Sequence, residues 1–417
     1  MSRFTRVRLH PLGPFHFGGR GVGMERSDIT LSADSLFSAL CVTIAQHRGP
    51  RAVQSLLDLF RDATTPAEIP FRLTSLMPYA ADVFFLPHPR LSTARLLGID
   101  DLRQRKRFKK VRWLSEPVFR ALVQGHPPMD AVDTNDSPVS IHQGEVWLTH
   151  AEREQLMAFV GYDQENKREA PLLWRIGTRP RVTVDRQTHA SAVYAVGATY
   201  FNRSQEKDAG LYTVIEWLSA DEDLQTMIVE TFKNLGDAGI GGERSDGFGQ
   251  FEPEFETLTA WNPGAAAGGF FTTLAPYHPR IDEKTVIGGH ARYHILLRRG
   301  WLSLDGYQNL RRSTVRMIGE GSILHWPPEI APLGDMVDVT PTRLRQETDV
   351  TVFRYGFAFP VRVADEAVLH NEEERHAETE SHSPHRIVER CTYRFGREAY
   401  TRYRLDCSGR WLCLFCR

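Results

Sequence analysis

His16 sits inside a glycine-rich run, Leu12-Gly13-Pro14-Phe15-His16-Phe17-Gly18-Gly19-Arg20-Gly21-Val22-Gly23. Glycines let backbone N–H groups approach a phosphate without side-chain obstruction. A neutral imidazole beside a ribose can take the 2′-hydroxyl proton and cleave RNA without a metal. The same placement also suits a packed histidine or one that only contacts phosphate, and the sequence does not identify the general acid that cleavage needs. A second run, Gly239-Ile240-Gly241-Gly242-Glu243-Arg244-Ser245-Asp246-Gly247-Phe248-Gly249, offers Arg244 as a phosphate partner. Its plainer reading is a helix-to-strand turn that needs positive φ.

Neither loop fits a nucleotide-hydrolysis or hydride-transfer motif. No Lys-Ser or Lys-Thr closes a G-x-x-x-x-G-K-[ST] pattern, and the second loop follows a helix and precedes a strand, the wrong order for a dinucleotide fingerprint. H-E-x-x-H and G-x-S-x-G are absent from the sequence. Asp246 to Phe251 departs from the RNP1 signature, with Asp246 where a basic residue belongs and Gln250 where an aromatic belongs. We therefore assign no catalytic residue, metal or cofactor.

Fifty-one Lys plus Arg against 52 Asp plus Glu give a net charge of −1, which on its own argues against a nucleic-acid binder. The distribution argues otherwise. Arg103, Arg105, Lys106, Arg107, Lys109, Lys110 and Arg112 crowd one decapeptide that holds no acid, so the remainder is net acidic. Such a segment makes a local positive potential for a polyanion, or a solvated face that keeps the chain soluble. Arg181-Val182-Thr183-Val184-Asp185-Arg186-Gln187-Thr188 alternates as a strand whose arginines face water, or a nucleic-acid backbone if a groove adjoins it.

These residues need elements to position them. Thr5, Val7 and Leu9 alternate with Arg6 and Arg8, predicting a half-buried strand. A helix is expected from an N-cap at Ser32, with Asp34 against its positive end, Leu36, Phe37, Leu40, Cys41 and Ile44 as its stripe, and Gly49-Pro50 as its end. Asp221 to Leu235 reads as a second helix. Strands are expected at 83–86, 193–201 and 211–217, and beyond Asn262–Gly269 at 270–274, 293–297, 314–318 and 350–359. The expected class is α+β, two ferredoxin-like (RRM-like) domains at 1–260, with a basic insertion at about 87–150, and 270–363. Residues 364–417 read as a partly disordered tail. It carries Cys391, Cys407, Cys413 and Cys416, whose spacing matches no familiar zinc module. No apolar run reaches 18 residues and no secretory signal opens the chain, so a cytoplasmic location is expected.

Phe15-His16-Phe17-Gly18 followed by Ser32 to Leu40, together with Gly241 to Gly249, resembles the opening and the glycine-rich loop of the RAMP superfamily of CRISPR proteins. Further segments are similar to the fourth Csm subunit of type III-A interference complexes. They are Leu86-Pro87-His88-Pro89 with the basic run and Trp113-Leu114, Arg181–Thr188, Thr273–Pro279, Gly319-Glu320-Gly321-Ser322 and Phe353-Arg354-Tyr355-Gly356. The resemblance runs from about Phe4 to Val363. It implies a non-catalytic subunit in antiviral defence that holds the 5′ handle of a guide RNA and bridges a large polymerase/cyclase-like subunit to a backbone subunit. By position, it implies RNA contacts at His16, Gly18, Gly19, Gly241, Gly242, Arg244, Ser245, Arg181 and Arg186. Arg20, Arg105, Lys106, Arg107, Lys109 and Lys110 join that list for their charge and position. The rival readings are a metal-independent endoribonuclease that processes repeat RNA, with His16 as base, and a protein–protein adaptor whose loops are only turns.

Overall fold

The alternation of the first strand has an outcome that its arginines did not announce. In the computed structural model β1 (Phe4–Pro11) buries Val7 and Leu9 on one face, but Arg6 on the other is also only 7% exposed. Its guanidinium lies 3.7 Å from the centroid of the Phe84 ring and pairs with Glu256 at 3.0 Å. A charged ladder, rather than water, covers that face.

The structure describes residues 3–18, 25–96, 106, 108–126, 141–161, 172–185, 187, 190–204, 207–259, 261–302, 306–307, 309–327, 333–369, 404–405 and 411–412. The chain divides into two compact units, residues 1–371 and 372–417. In the second, Arg404–Leu405 pairs antiparallel with Trp411–Leu412. Of the tail expected from residue 364, Asp365–Leu369 is a short helix with Ala367 and Val368 buried, while the four tail cysteines lie outside the described residues.

In the first unit, β1 is followed by α1 (Ala33–Arg48) and α2 (Pro50–Arg61). Ser32 stands at the N-cap of α1, but its side chain caps nothing; the Ala33 N–H is met instead by Ser75 Oγ at 2.9 Å. Gly49-Pro50 does end α1, yet Pro50 also opens α2 at its first position, where a missing N–H costs nothing. There follow β2 (Phe71–Leu73), β3 (Met77–Ala80), β4 (Val83–Pro87), β5 (Trp113–Ser115), α3 (Glu116–Val123), β6 (Val146–Trp147) and α4 (His150–Phe159). The long hairpin β7 (Trp174–Val184) and β8 (Ser191–Phe201) precedes β9 (Ala209–Trp217), α5 (Glu222–Ala238) and β10 (Phe251–Leu258). The main sheet runs β10-β1-β9-β3-β4-β5-β6, with β2 also on β9. Val7 faces Thr213 on one side and Phe255 on the other, and among the described strands only the β5–β6 pair is parallel.

Beyond Asn262–Gly269 come β11 (Phe270–Thr273), β12 (Ile295–Arg298), β13 (Val315–Ile318), β14 (Ile323–His325), β15 (Gly334–Asp338), β16 (Phe353–Phe357) and β17 (Pro360–Val363). They form a β14-β11-β17 sheet and the pairs β12–β13 and β15–β16. This half shares its core with the first. Phe37 of α1 stacks on Tyr355 at 4.9 Å, and Phe60 of α2 packs edge-on against the same ring at 5.8 Å. The Leu73 N–H donates to Tyr355 Oη at 3.2 Å. Asp34, fully buried, takes two hydrogen bonds from Arg298 at 2.9 and 2.7 Å and a third from Arg354. Its carboxylate therefore welds α1 to the second half, well beyond the helix-end role its position suggested. The outcome is a mixed α+β architecture with one large mixed sheet.

Candidate nucleic-acid interface

The two glycine-rich loops, more than two hundred residues apart in sequence, lie against one another. The Leu12 N–H donates to Gln250 O (3.0 Å), the Gly249 N–H to Pro14 O (2.8 Å) and the Gly242 N–H to His16 O (2.9 Å). Phe15 exchanges two backbone hydrogen bonds with Thr199 of β8 (2.9 and 2.8 Å), which brings the foot of the long hairpin into the same ridge. Such close approach explains the glycines at two positions. A Cβ on Gly241, whose φ is 97°, would stand 2.5 Å from His16 O, and one on Gly249, φ 77°, would stand 2.1 Å from Ile240 O.

His16 is buried at the centre of this ridge. Its Nδ1 lies 2.7 Å from Gly197 O, an acceptor only, so Nδ1 carries the proton and donates. In the neutral ring Nε2 is then an acceptor. A Cβ on Gly242 would sit 2.7 Å from the ring Cδ2, so glycine there is what lets the second loop close over the imidazole. Among the described residues no carboxylate, lysine or tyrosine hydrogen-bonds His16. The geometry fixes one tautomer and supplies a single outward lone pair, sufficient to contact a hydroxyl.

Gly18, Gly241, Arg244 and Ser245 are exposed on the ridge, with Gly242 half-buried between them. Arg181 is not free in the same way. It pairs with Asp246, lies 3.9 Å from Glu243, and its guanidinium sits 5.3 Å from the centroid of Phe248. It braces the second loop against β7 with its charge already balanced. Arg179, which sequence reasoning passed over, lines a cavity of about 480 Å³ together with Arg181, Tyr194 and Asp246. The signal was available: Arg175, Arg179 and Arg181 fall on one face of β7 at period two.

Lys106, Lys109 and Lys110 are exposed, and no described contact joins them to the glycine loops. Lys109 instead shares cavities with Arg90 and with residues of the second half, among them Arg292 and His294. Gly19, Arg20, Arg105, Arg107 and Arg186 lie outside the described residues. Among the described residues no cluster of His, Cys, Asp and Glu is arranged to hold a metal ion, and no helix is long and apolar enough to cross a membrane.

Residues 267–363 match the family model of the CRISPR Csm4 C-terminal domain. The CRISPR system Cms protein Csm4 of Thermococcus onnurineus (strain NA1) is 26% identical over 370 residues, covering 87% of this chain and 98% of that protein. Its namesake in Mycobacterium tuberculosis (strain ATCC 25618 / H37Rv) is 25% identical over 328 residues, 78% of this chain and 88% of that protein. Among solved structures, a chain of the Csm3–Csm4 subcomplex of the type III-A CRISPR-Cas interference complex superposes with a TM-score of 0.58 at 16% identity, covering 86% of this chain and 99% of that one. A chain of a Csm1–Csm4 cassette in complex with pppApA gives 0.50 at 20% identity, over 86% and 97%. The matched C-terminal domain and the relatives aligned along most of their length make this chain similar to Csm4 proteins, and the solved Csm4-containing structures share its fold.

Proposed function

We propose that this chain is a non-catalytic RNA-binding subunit of a type III-A CRISPR interference complex, holding the 5′ handle of the guide RNA and joining a large subunit to a backbone subunit in antiviral defence. The observation that carries the reading is the ridge, where two glycine loops and the hairpin foot are laced by backbone hydrogen bonds beneath an exposed Arg244 and Ser245. Backbone donors, few cations and defined shape suit a single-stranded RNA end. The partner assignment rests on relatives solved with Csm1 and with Csm3.

The non-catalytic reading rests on His16, whose ring is packed under Gly242 and has, among the described residues, only the Gly197 carbonyl as a hydrogen-bond partner. A split βαβ reading of the first half is supported by the order β10-β1-β9-β3 with α1 and α5 in the crossovers, which is the ferredoxin-like arrangement. Ultraviolet cross-linking of the full chain to a guide RNA that bears its handle tests the proposal. Cross-linked peptides from residues 12–18 and 241–247 are expected; cross-links confined to other surfaces would contradict it.

A further inference from the structure

A cleft of about 510 Å³, which shares no lining residue with the glycine ridge, opens between His88–Thr93 with Phe108–Val111 on one side and the second-half pair Arg292–Tyr293 on the other. Its size is that of a small-ligand site. Leu91, Phe108, Val111 and Tyr293 supply apolar and aromatic wall, while Arg90 and Lys109 supply positive charge. Among the described residues no carboxylate lines it. Aromatic wall beside unbalanced cations is the combination that holds a planar base with its phosphate. We infer that this cleft binds one nucleotide, its base against the Phe108–Tyr293 walls and its phosphate on Arg90 and Lys109.

The parts are held in place before any ligand arrives. Phe108 packs edge-on against Trp147, ring centroids 5.1 Å apart. Arg90 is fixed twice, by its backbone N–H to Gly321 O at 2.8 Å and by its Nε donating to His294 Nδ1 at 3.0 Å. Arg292 reaches across to Ser92 Oγ at 3.1 Å and ties the two walls together. Gly321, φ 76°, is what allows this approach, since a Cβ there would stand 2.7 Å from His88 O. That gives the Gly319–Ser322 turn a task, namely to seat Arg90. His88 is neutral at physiological pH, because burial and the neighbouring Arg90 push its pKa to about 4, and its Nε2 is paired with Thr93 Oγ1 at 2.9 Å. The adjoining cavity, about 470 Å³, shares Arg90 and Lys109 but also carries Glu320, whose carboxyl disfavours phosphate there.

The nucleotide belongs either to an RNA strand, which rests on the RNA-binding reading above, or to a free mononucleotide. The experiment separates them. The full chain is titrated with handle-bearing RNA carrying one 2-aminopurine, or one abasic nucleotide, at each position in turn, and separately with AMP. Wild type is compared with Tyr293→Ala and Lys109→Glu, both at exposed side chains, and with Arg244→Glu on the ridge. For an RNA nucleotide, one 2-aminopurine position is quenched on binding. An abasic nucleotide at that position weakens binding about tenfold in wild type but not in Tyr293→Ala. RNA binding that Arg244→Glu weakens while Tyr293→Ala and Lys109→Glu leave affinity and quenching unchanged overturns the cleft and spares the RNA-binding reading. Saturable AMP binding lost in Tyr293→Ala, with no RNA binding at all, supports the cleft with a free nucleotide and overturns that reading. Binding of neither overturns both.

Discussion

The glycine ridge and the Lys109 cleft are two solutions to holding a polyanion, and they differ in where the charge is spent. On the ridge, Arg181 is balanced by Asp246 and Glu243, and the exposed groups are backbone, Arg244, Ser245 and the paired Asp246. The cleft keeps Arg90 and Lys109 without a carboxylate among its described lining residues. The ridge is stitched by main-chain hydrogen bonds within the first half, whereas the cleft spans a seam between halves that Asp34, Arg298 and Arg354 hold shut. Shape and backbone donors should give the ridge affinity with little salt dependence, and free cations should give the cleft a steep one. A net charge near zero is compatible with both, because neither requires a basic molecule.

The contrast breaks first at the seam. Asp34→Ala leaves the buried Arg354 and the half-buried Arg298 without their shared carboxylate, which should cost about 3 kcal/mol of stability. Chemical denaturation measures the loss, and RNA cross-links at the Lys109 segment should fall before those at the ridge. Equal and small effects on both regions would show that the seam does not matter.

Next in size are charge reversals. Lys109→Glu should lower the slope of log affinity against log salt by about one phosphate contact or more, whereas loss of the ridge hydroxyl in Ser245→Ala should leave that slope unchanged. Affinity measured across a salt series distinguishes them. Ser245→Ala flattening the slope as much as Lys109→Glu would erase the distinction between the two regions.

The smallest expected effect comes from neither region and serves as a control. His10 is held between Asp208 (2.9 Å) and Glu254 (3.0 Å) at the end of β1. The hydrogen bond that its ring N–H donates to Asp208, opposed by partial burial, raises its pKa above 6.5. A raised histidine stabilises fully below its unfolded value and loses that contribution as pH climbs through the folded one. His10→Gln should therefore remove up to about 1 kcal/mol at pH 6 and progressively less above pH 6.5, read from melting curves across pH. RNA affinity should not follow.

Much of the framework was legible in the sequence. Alternation in β1 and the helical stripes of α1 and α5 predicted those elements close to their observed ends. The helix α2 was missed because Gly49-Pro50 reads as a stop, while a proline at the first helical position is also a start. The strands β2 and β3 were missed because every residue in them is buried, so no alternation marks them. At the candidate site, the loops could be named from glycine content, but not that they close over one histidine. Nor could a one-dimensional reading show that Asp246 neutralises Arg181, or that the basic run ends beside Tyr293. Ion pairs and clefts are made by residues distant in sequence, and local pattern carries no record of them.

The measurement that bears most directly on the central claim uses end-labelled repeat-spacer RNA with the full chain in EDTA, run on native and denaturing gels. Wild type is set beside Arg244→Glu and His16→Ala. The account predicts a shifted, intact RNA, a shift weakened by Arg244→Glu, and no strand scission in any lane. A discrete cut within the repeat that disappears in His16→Ala would contradict it and make the ridge a nuclease centre.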